Sequence, residues 1–583
     1  MEPRLYLPLR QALGTLFSLP TTDSSQPRPS HSQAHEFLIH VQSRNIRRKI
    51  LSIQQRRRDQ LKQNQGRVPN ENNDKPNELI SMGSSWLACL MLLCRRDQEI
   101  TSTEKLFAAQ TLLQRLRRNK IEDAVDLEVE QGDIEETQAL SLYNESDNTI
   151  PVLMAYLQLI QAWNPFIGQV LLSANLSNPD PSFTEGRWKG HVTLLTLASI
   201  LYMTACSSVG NEEIHSMPLL QTLAAAIATV TLRLLGESNS DDEQLSFVPA
   251  LVEAFDIVNR ADESTSSSNT SSLTYDVSLQ ITLAAVPESL LGSPDGQSRR
   301  GRLSLHPNAI QKAYSDLRQN GFNQLGERVL SKLHAGTSTM SMWWSLRTLE
   351  CWSRFLPLPR DVWDFSLPIV KSFLNHDRSE YVKAALAYVL AIWEGAACTE
   401  EETLALSLGL TSDRIVQQQG KRRQSSRSKK RHKELLEQRS DDASTVQARE
   451  DVIQRGTVAC LATTNVWDTI IPHFQRAMAD AENHNQIDGE GPIGCLAAAA
   501  QACLPHLLRR PTAGPTEDAH LFAALAEVLQ RICASSYNAC RVLALEPIYK
   551  LHEMVLEIQR NGVALDETLE TLLVNHFYKV SFN

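Results

Sequence analysis

Gly489-Glu-Gly-Pro-Ile-Gly494 carries the G-x-G-x-x-G spacing with which a tight turn presents backbone amides to a pyrophosphate. That chemistry requires a buried strand in front of the first glycine. The preceding residues, Ala481-Glu-Asn-His-Asn-Gln-Ile-Asp488, are too polar to form it, so the glycines read as a join before a helix. Cys503 and His506 stand three apart, a spacing that puts two metal ligands on one helical face. A structural zinc site takes four ligands, and Cys495 is the nearest third. Pro505 disturbs the helix that would hold the pair in register, which favours core packing with His506 near a helix end. The chain holds no G-x-x-x-x-G-K-[ST], H-E-x-x-H or G-x-S-x-G, and nothing assembles a nucleophile, a base and an oxyanion hole. The expectation is a protein without catalytic residues, cofactor or metal, not an enzyme.

The other chemistry on offer is charge. Between Arg44 and Lys62 eight Lys/Arg face one acid, Asp59, and between Lys421 and Lys433 eight more face none. The net charge is −10, so removing these two runs (+7 and +8) leaves the remainder at −25. An acidic body does not hold nucleic acid by neutralising phosphates, but its field draws in basic protein partners. The first run interleaves Ile46, Ile50, Leu51, Ile53 and Leu61, so one face can pack while Arg47, Arg48, Arg56, Arg57 and Arg58 meet water or a partner. The second run offers Lys421, Arg422, Arg423, Lys429, Lys430 and Arg431. It reads as a solvated loop, a nuclear-localisation-like patch, or a latch onto the acidic body released by phosphorylation at Ser425, Ser426 or Ser428. Glu122–Asp147 holds ten Asp/Glu and no Lys/Arg, a connector or an acidic surface for basic cargo.

The elements that must position these residues are helices. Thr101-Ser-Thr-Glu104 has capping-box spacing, and Leu106, Ala109, Leu113 and Leu116 recur behind it at helical intervals. Arg115, Arg117 and Arg118 load the last turn, where cations suit the helix dipole. Further helices are expected at about 5–18, 34–62, 78–95, 151–174, 188–207, 214–236 and 243–260. They resume at about 308–335, 340–356, 361–375, 379–395, 443–480, 492–508, 518–535, 538–560 and 565–579. Period-two alternation is nearly absent, so the fold class is all-α.

Helices joined by short Pro- or Asn/Asp-containing turns match stacked helical hairpins. Asp361–Leu374 reads as one helix of such a hairpin, kinked at Pro368. Glu380-Tyr-Val-Lys-Ala-Ala-Leu-Ala-Tyr-Val-Leu-Ala-Ile-Trp393 reads as the second, with no polar face past Lys383. It resembles the second helix of a HEAT repeat. The expected architecture is an α-solenoid of HEAT/ARM-like hairpins with flexible loop insertions. Residues 1–261 form the N-terminal array with an insertion at about 47–77, 262–305 a Ser-rich flexible linker, and 306–583 a C-terminal array with a basic loop at about 411–442. The ten Cys form no C-x-x-C and read as reduced core thiols. Val192–Cys206 and Leu219–Leu235 are the most apolar segments and read as buried helices rather than membrane spans.

Glu104-Lys-Leu-Phe-Ala-Ala-Gln-Thr-Leu112 is similar to the Phe-Ala-Ala-Gln-Thr-Leu helix of the importin-β/karyopherin superfamily, especially its transportin-3/importin-13 branch. The carrying residues are Trp86 upstream and then Phe107, Ala108, Ala109, Gln110, Thr111 and Leu112. Leu9–Phe17 and Ala34–Leu38 fall in the order of that family's first repeat, and the resemblance covers about residues 4–118. It implies an α-solenoid that shuttles between nucleus and cytoplasm, binding protein cargo on a concave surface, Ran-GTP through its N-terminal repeats, and Phe-Gly nucleoporins in grooves between helices. The chain is much shorter than full-length members. The expected function is therefore a nuclear transport receptor or a derivative of one, a monomer without membrane contact. A HEAT-type scaffold that assembles another complex is the second reading, and RNA or tRNA handling through the Arg44–Lys62 helix is the third.

Overall fold

The computed structural model describes residues 7–17, 85–94, 100–118, 160–174, 185–208, 218–236, 246–263, 271–291, 307–328, 338–408, 442–484, 491–509 and 515–560, with a few isolated positions besides. Every regular element among them is a helix. The expected helix at 34–62, the helix at 565–579, the acidic stretch and both basic runs lie outside the described residues. The chain divides into two compact units. One comprises 1–243, 250–282 and 301–304, and the other 244–249, 283–300 and 305–583.

The first unit is built from α1 (Leu7–Phe17), α2 (Ser85–Cys94), α3 (Ser102–Arg118), α4 (Pro165–Ser173), α5 (Glu185–Ser208) and α6 (Pro218–Gly236). Most of α7 (Phe247–Glu263) and α8 (Ser271–Ala284) belong to it. Helices α5 and α6 carry the two apolar segments noted above. Each is long and apolar enough by composition to cross a membrane, with 72% and 61% of those windows buried inside the protein. They pack on each other, α5 also against α4 and α6 against α3, so a helix with no polar face is covered on several sides.

Asn164-Pro165 explains why residues 151–174 do not run as one helix. Asn164 sits in the extended region at φ −149°, and its Oδ1 accepts from the amides of Phe166 (3.1 Å) and Ile167 (3.4 Å). It therefore ends one helix and caps the next, with proline at the first helical position where no amide partner is needed. Its Nδ2 donates to the Cys94 carbonyl at 2.8 Å, tying α4 to the end of α2.

Residues 271–291, expected within a Ser-rich linker, form α8 and the short α9 (Val286–Leu291) instead. Thr274, Ser278, Gln280 and Thr282 are buried there between apolar neighbours. The Thr282 hydroxyl donates to the Ser278 carbonyl one turn back at 2.9 Å, the bond that lets a hydroxyl residue sit inside a helix without an outside partner.

The second unit continues through α10 (Pro307–Asp316), a π-helical turn at Leu317–Gly321, and α11 (Phe322–Arg328), where the sequence predicts one helix. The widened turn buries Gly321 against Trp352, and Phe322 meets the Trp352 ring edge-on at 5.5 Å. Then come α12 (Thr339–Ser353), α13 (Arg360–Leu374), α14 (Ser379–Ala396), α15 (Glu400–Ser407), α16 (Asp442–His484), α17 (Pro492–Arg509), α18 (Pro515–Cys533) and α19 (Asn538–Arg560). Helix α14 packs against α12, α13, α16 and α17, which is the covering its apolar sequence requires. Trp363, Tyr388 and Trp393 are fully buried around it, each contributing on the order of 3 kcal/mol through apolar burial. Polar bonds fix the packing. The Ser366 and Tyr388 hydroxyls lie 3.1 Å apart, and Trp393 Nε1 donates to Thr463 Oγ1 at 3.0 Å. Gly395 has no side chain because a Cβ there would stand 2.5 Å from the Ser353 carbonyl oxygen.

Candidate functional site

The helix that carries the family-like motif is anchored at both ends by buried charge. At the start of α3 the Thr101 amide donates to Glu104 Oε2 at 2.7 Å, and the Glu104 amide donates to Thr101 Oγ1 at 3.3 Å. This is the capping box expected from the sequence. Glu104 is buried, and its Oε1 also accepts from Arg10 Nε at 3.0 Å, so one carboxylate caps α3 and holds α1. At the other end the buried Arg233 of α6 donates from Nε to the Leu116 carbonyl and from Nη2 to Arg117 O at 3.1 Å. A cation on carbonyls that have no partner within the helix also complements the dipole. Trp86, Phe107, Ala108, Ala109, Thr111 and Leu112 are buried in this unit, while Gln110 is exposed. The motif residues are therefore packing residues, with one position on the surface.

Beside the start of α3 lies a cleft of about 670 Å³. Leu93, Leu106, Phe166, Ile200 and Leu219 give it apolar walls, and Lys105, Tyr202 and Asp262 add polar groups. The Tyr202 hydroxyl donates to Asp262 Oδ2 at 2.9 Å. Burial, together with this bond to an anion, holds the phenol well above its usual range, so it stays protonated. Phe166 stacks on Tyr202 with ring centres 6.3 Å apart. The cleft suits an apolar group flanked by charge.

None of the ten cysteines is in a disulfide. Burial pushes Cys89 and Cys94 up to about 12, so neither forms a thiolate at neutral pH. His191 is moved the other way, down to about 4, by burial and by the Arg187 guanidinium.

The Cys495, Cys503 and His506 set does not converge. Cys495 Sγ points to the Leu386 carbonyl at 3.7 Å, and Cys503 Sγ lies 3.3 Å from Thr463 Oγ1. His506 packs on Gly456, where a Cβ would stand 2.2 Å from its Nδ1. Among the described residues no group of His, Cys, Asp and Glu forms a metal cluster. Pro505 does not break α17, which runs on to Arg509. Of the glycine motif, Gly491 stands at the start of α17 and its carbonyl accepts the Cys495 amide at 3.1 Å, the role of a helix entry. Arg47, Arg48, Arg56, Arg57, Arg58, Lys421, Arg422, Arg423, Lys429, Lys430 and Arg431 lie outside the described residues.

Sequence reasoning passed over the buried ionic network of the second unit. Arg455 donates from Nη1 to Gly395 O at 2.9 Å and from Nη2 to Phe355 O at 2.6 Å, so one guanidinium ties α16 to the ends of α12 and α14. Arg318 reaches Asp451 through Nε at 2.8 Å, and Glu350 pairs with Arg354 at 3.2 Å and with Arg347. A signal was present: Ala448, Asp451, Arg455, Val458 and Ala462 share one helical face, so two charges stand in an apolar stripe. The chain matches no family model, no curated protein and no solved structure.

Proposed function

We propose that this chain is a non-enzymatic α-solenoid of the nuclear transport receptor type, binding protein cargo and Ran-GTP. The observation that carries the reading is the motif text Phe107-Ala-Ala-Gln-Thr-Leu112, on a helix clamped between Arg10–Glu104 and Arg233. Its support is a resemblance in sequence together with an all-helical fold. A transport receptor of this kind acts through rigid helix pairs that shift slightly against one another.

The mechanism is mutually exclusive binding. Ran-GTP and import cargo compete for the same array, and the nucleotide gradient sets direction. Reciprocity gives the test. Fluorescence anisotropy of a labelled basic cargo peptide bound to the full chain is measured with and without Ran-GTP. A tenfold loss of cargo affinity corresponds to a coupling of about 1.4 kcal/mol and supports import. Tighter cargo binding assigns export. No change in either direction removes the mechanism.

A further inference from the structure

Among the described residues, helix α19 carries a row of exposed large apolar side chains. Val542, Leu545 and Tyr549 are 61%, 61% and 58% exposed, and Leu556 continues the row at 36%. The opposite face of the same helix is buried through Cys540, Ala544, Leu551, Val555 and Ile558, packed against α17 and α18. A helix needs only one apolar face to dock on its own unit. Among the described residues no helix uses the second face, and runs of exposed apolar side chains of this kind mark interaction sites.

Charge along its margins selects the occupant. Successive residues turn by about 100° around a helix, which sets Arg541 and His552 along one edge of the row. Glu546, Glu553 and Glu557 fall along the other, joined at its far end by Arg560, while Lys550 on that side turns back to the Ala397 carbonyl at 3.1 Å. Arg541, Glu546, His552, Glu553 and Glu557 are all exposed. Arg541 bonds to Asn538 and Tyr549 donates to Glu553 at 2.7 Å, so the margins are ordered by local contacts. A surface with one basic and one acidic margin is its own complement under a two-fold axis parallel to the helix. Such an axis turns the basic edge of one copy toward the acidic edge of the other. Residues five apart then meet across the seam, as Arg541 meets Glu546. A perpendicular axis would instead set acid against acid.

We propose that this face of α19 is a homodimer interface, in which two copies pair with their α19 helices parallel. This departs from the monomer expected from the sequence. Interdigitation of Val542, Leu545, Tyr549 and Leu556 with their counterparts closes the row, and the Arg541–Glu546 pairs fix the orientation.

The test is sedimentation velocity of the full chain over a wide concentration range, with helicity and melting followed in parallel. The wild type is expected to form a concentration-dependent dimer. The double variant Leu545→Glu/Tyr549→Glu is expected to sediment as a monomer with unchanged helicity and with the melting temperature the wild type shows at concentrations where it too is monomeric. Arg541→Glu is expected to weaken the dimer about tenfold or more, and adding Glu546→Arg to restore it to within about threefold. A wild-type monomer throughout the range overturns the proposal. So does a dimer that the stripe variants leave intact. Stripe variants that lower the melting temperature without changing mass would assign the cover to residues of the same chain, and would equally overturn it.

Discussion

Replacing Arg455 by Met tests whether a buried guanidinium on two helix ends organises the second unit. The substitution removes two charge-assisted bonds, Nη1 to Gly395 O at 2.9 Å and Nη2 to Phe355 O at 2.6 Å. Each is worth about 1.5–3 kcal/mol, and a carbonyl left buried without a partner adds to the loss. Three effects reduce the sum. Phe355 O keeps a weak bond from the Tyr314 hydroxyl at 3.4 Å. Arg455 Nε has no acceptor among the described residues, so its desolvation cost is relieved by the change. Met also retains much of the packing of the arginine stem. The net loss expected is about 2–4 kcal/mol. At a denaturant slope of about 3 kcal/mol/M this shifts the urea midpoint by about 1 M. Urea titration followed by circular dichroism measures it, and hydrogen exchange of peptides covering 443–466 localises it. Arg449→Met is the control, since Arg449 is exposed and meets Glu400 only at 3.8 Å, an arrangement worth less than about 0.5 kcal/mol. An Arg455→Met midpoint within about 0.2 M of the control, about 0.6 kcal/mol on the same slope, refutes the reasoning.

Glu104→Ala removes the α3 cap and the Arg10 pair together, and is expected to cost about 2–4 kcal/mol; Glu104→Gln keeps the cap acceptor and should lose about half as much. Equal losses for the two variants in urea titration would mean that the ion pair, not the cap, carries the stabilisation. His191 is held down to about 4 against 6.5 for the free side chain, so the unfolded chain binds the extra proton. Its stability contribution is complete above pH 6.5 and is lost as pH falls toward 4, up to about 3 kcal/mol. Replacing His191 with Gln should flatten the pH dependence in that window, and a wild-type-like slope in the variant contradicts the assignment. Gly456→Ala forces a Cβ to within 2.2 Å of His506 Nδ1 and should destabilise by about 1–3 kcal/mol. Adding His506→Ala should recover part of that loss, and strictly additive effects in a double-mutant cycle would show that the two residues do not touch.

Most helices are written in local periodicity, and among the described residues most periodic segments fall where expected. The α14 sequence shows this: Tyr381 through Trp393 has no polar side past Lys383, so it predicts a helix enclosed by others, as found. Breaks and charges were harder to read. Asn164-Pro165 is a cap and first-turn pair, but its neighbours are apolar on both sides, so periodicity alone runs through it. Helix α8 was hidden by its hydroxyl residues; Thr282, for one, satisfies its hydroxyl on its own backbone, a bond that does not register in composition. The buried Arg233 and Arg455 and the half-buried Arg318 lay in plain sight, but their acceptors come from distant positions such as Leu116, Gly395 and Asp451. No local pattern links residues 60 or more apart in sequence. The Cys503–His506 spacing shows the converse, since correct spacing on one helix places its members against different neighbours.

The proposed function requires that the chain bind Ran in its GTP state. The most direct measurement is a titration of the purified full chain with Ran carrying a non-hydrolysable GTP analogue, with Ran-GDP as the control. Saturable binding at least tenfold tighter for the GTP form is the predicted result, a difference of about 1.4 kcal/mol or more. Equal affinity for both nucleotide states, or no binding by a chain shown to be folded and helical, would contradict it.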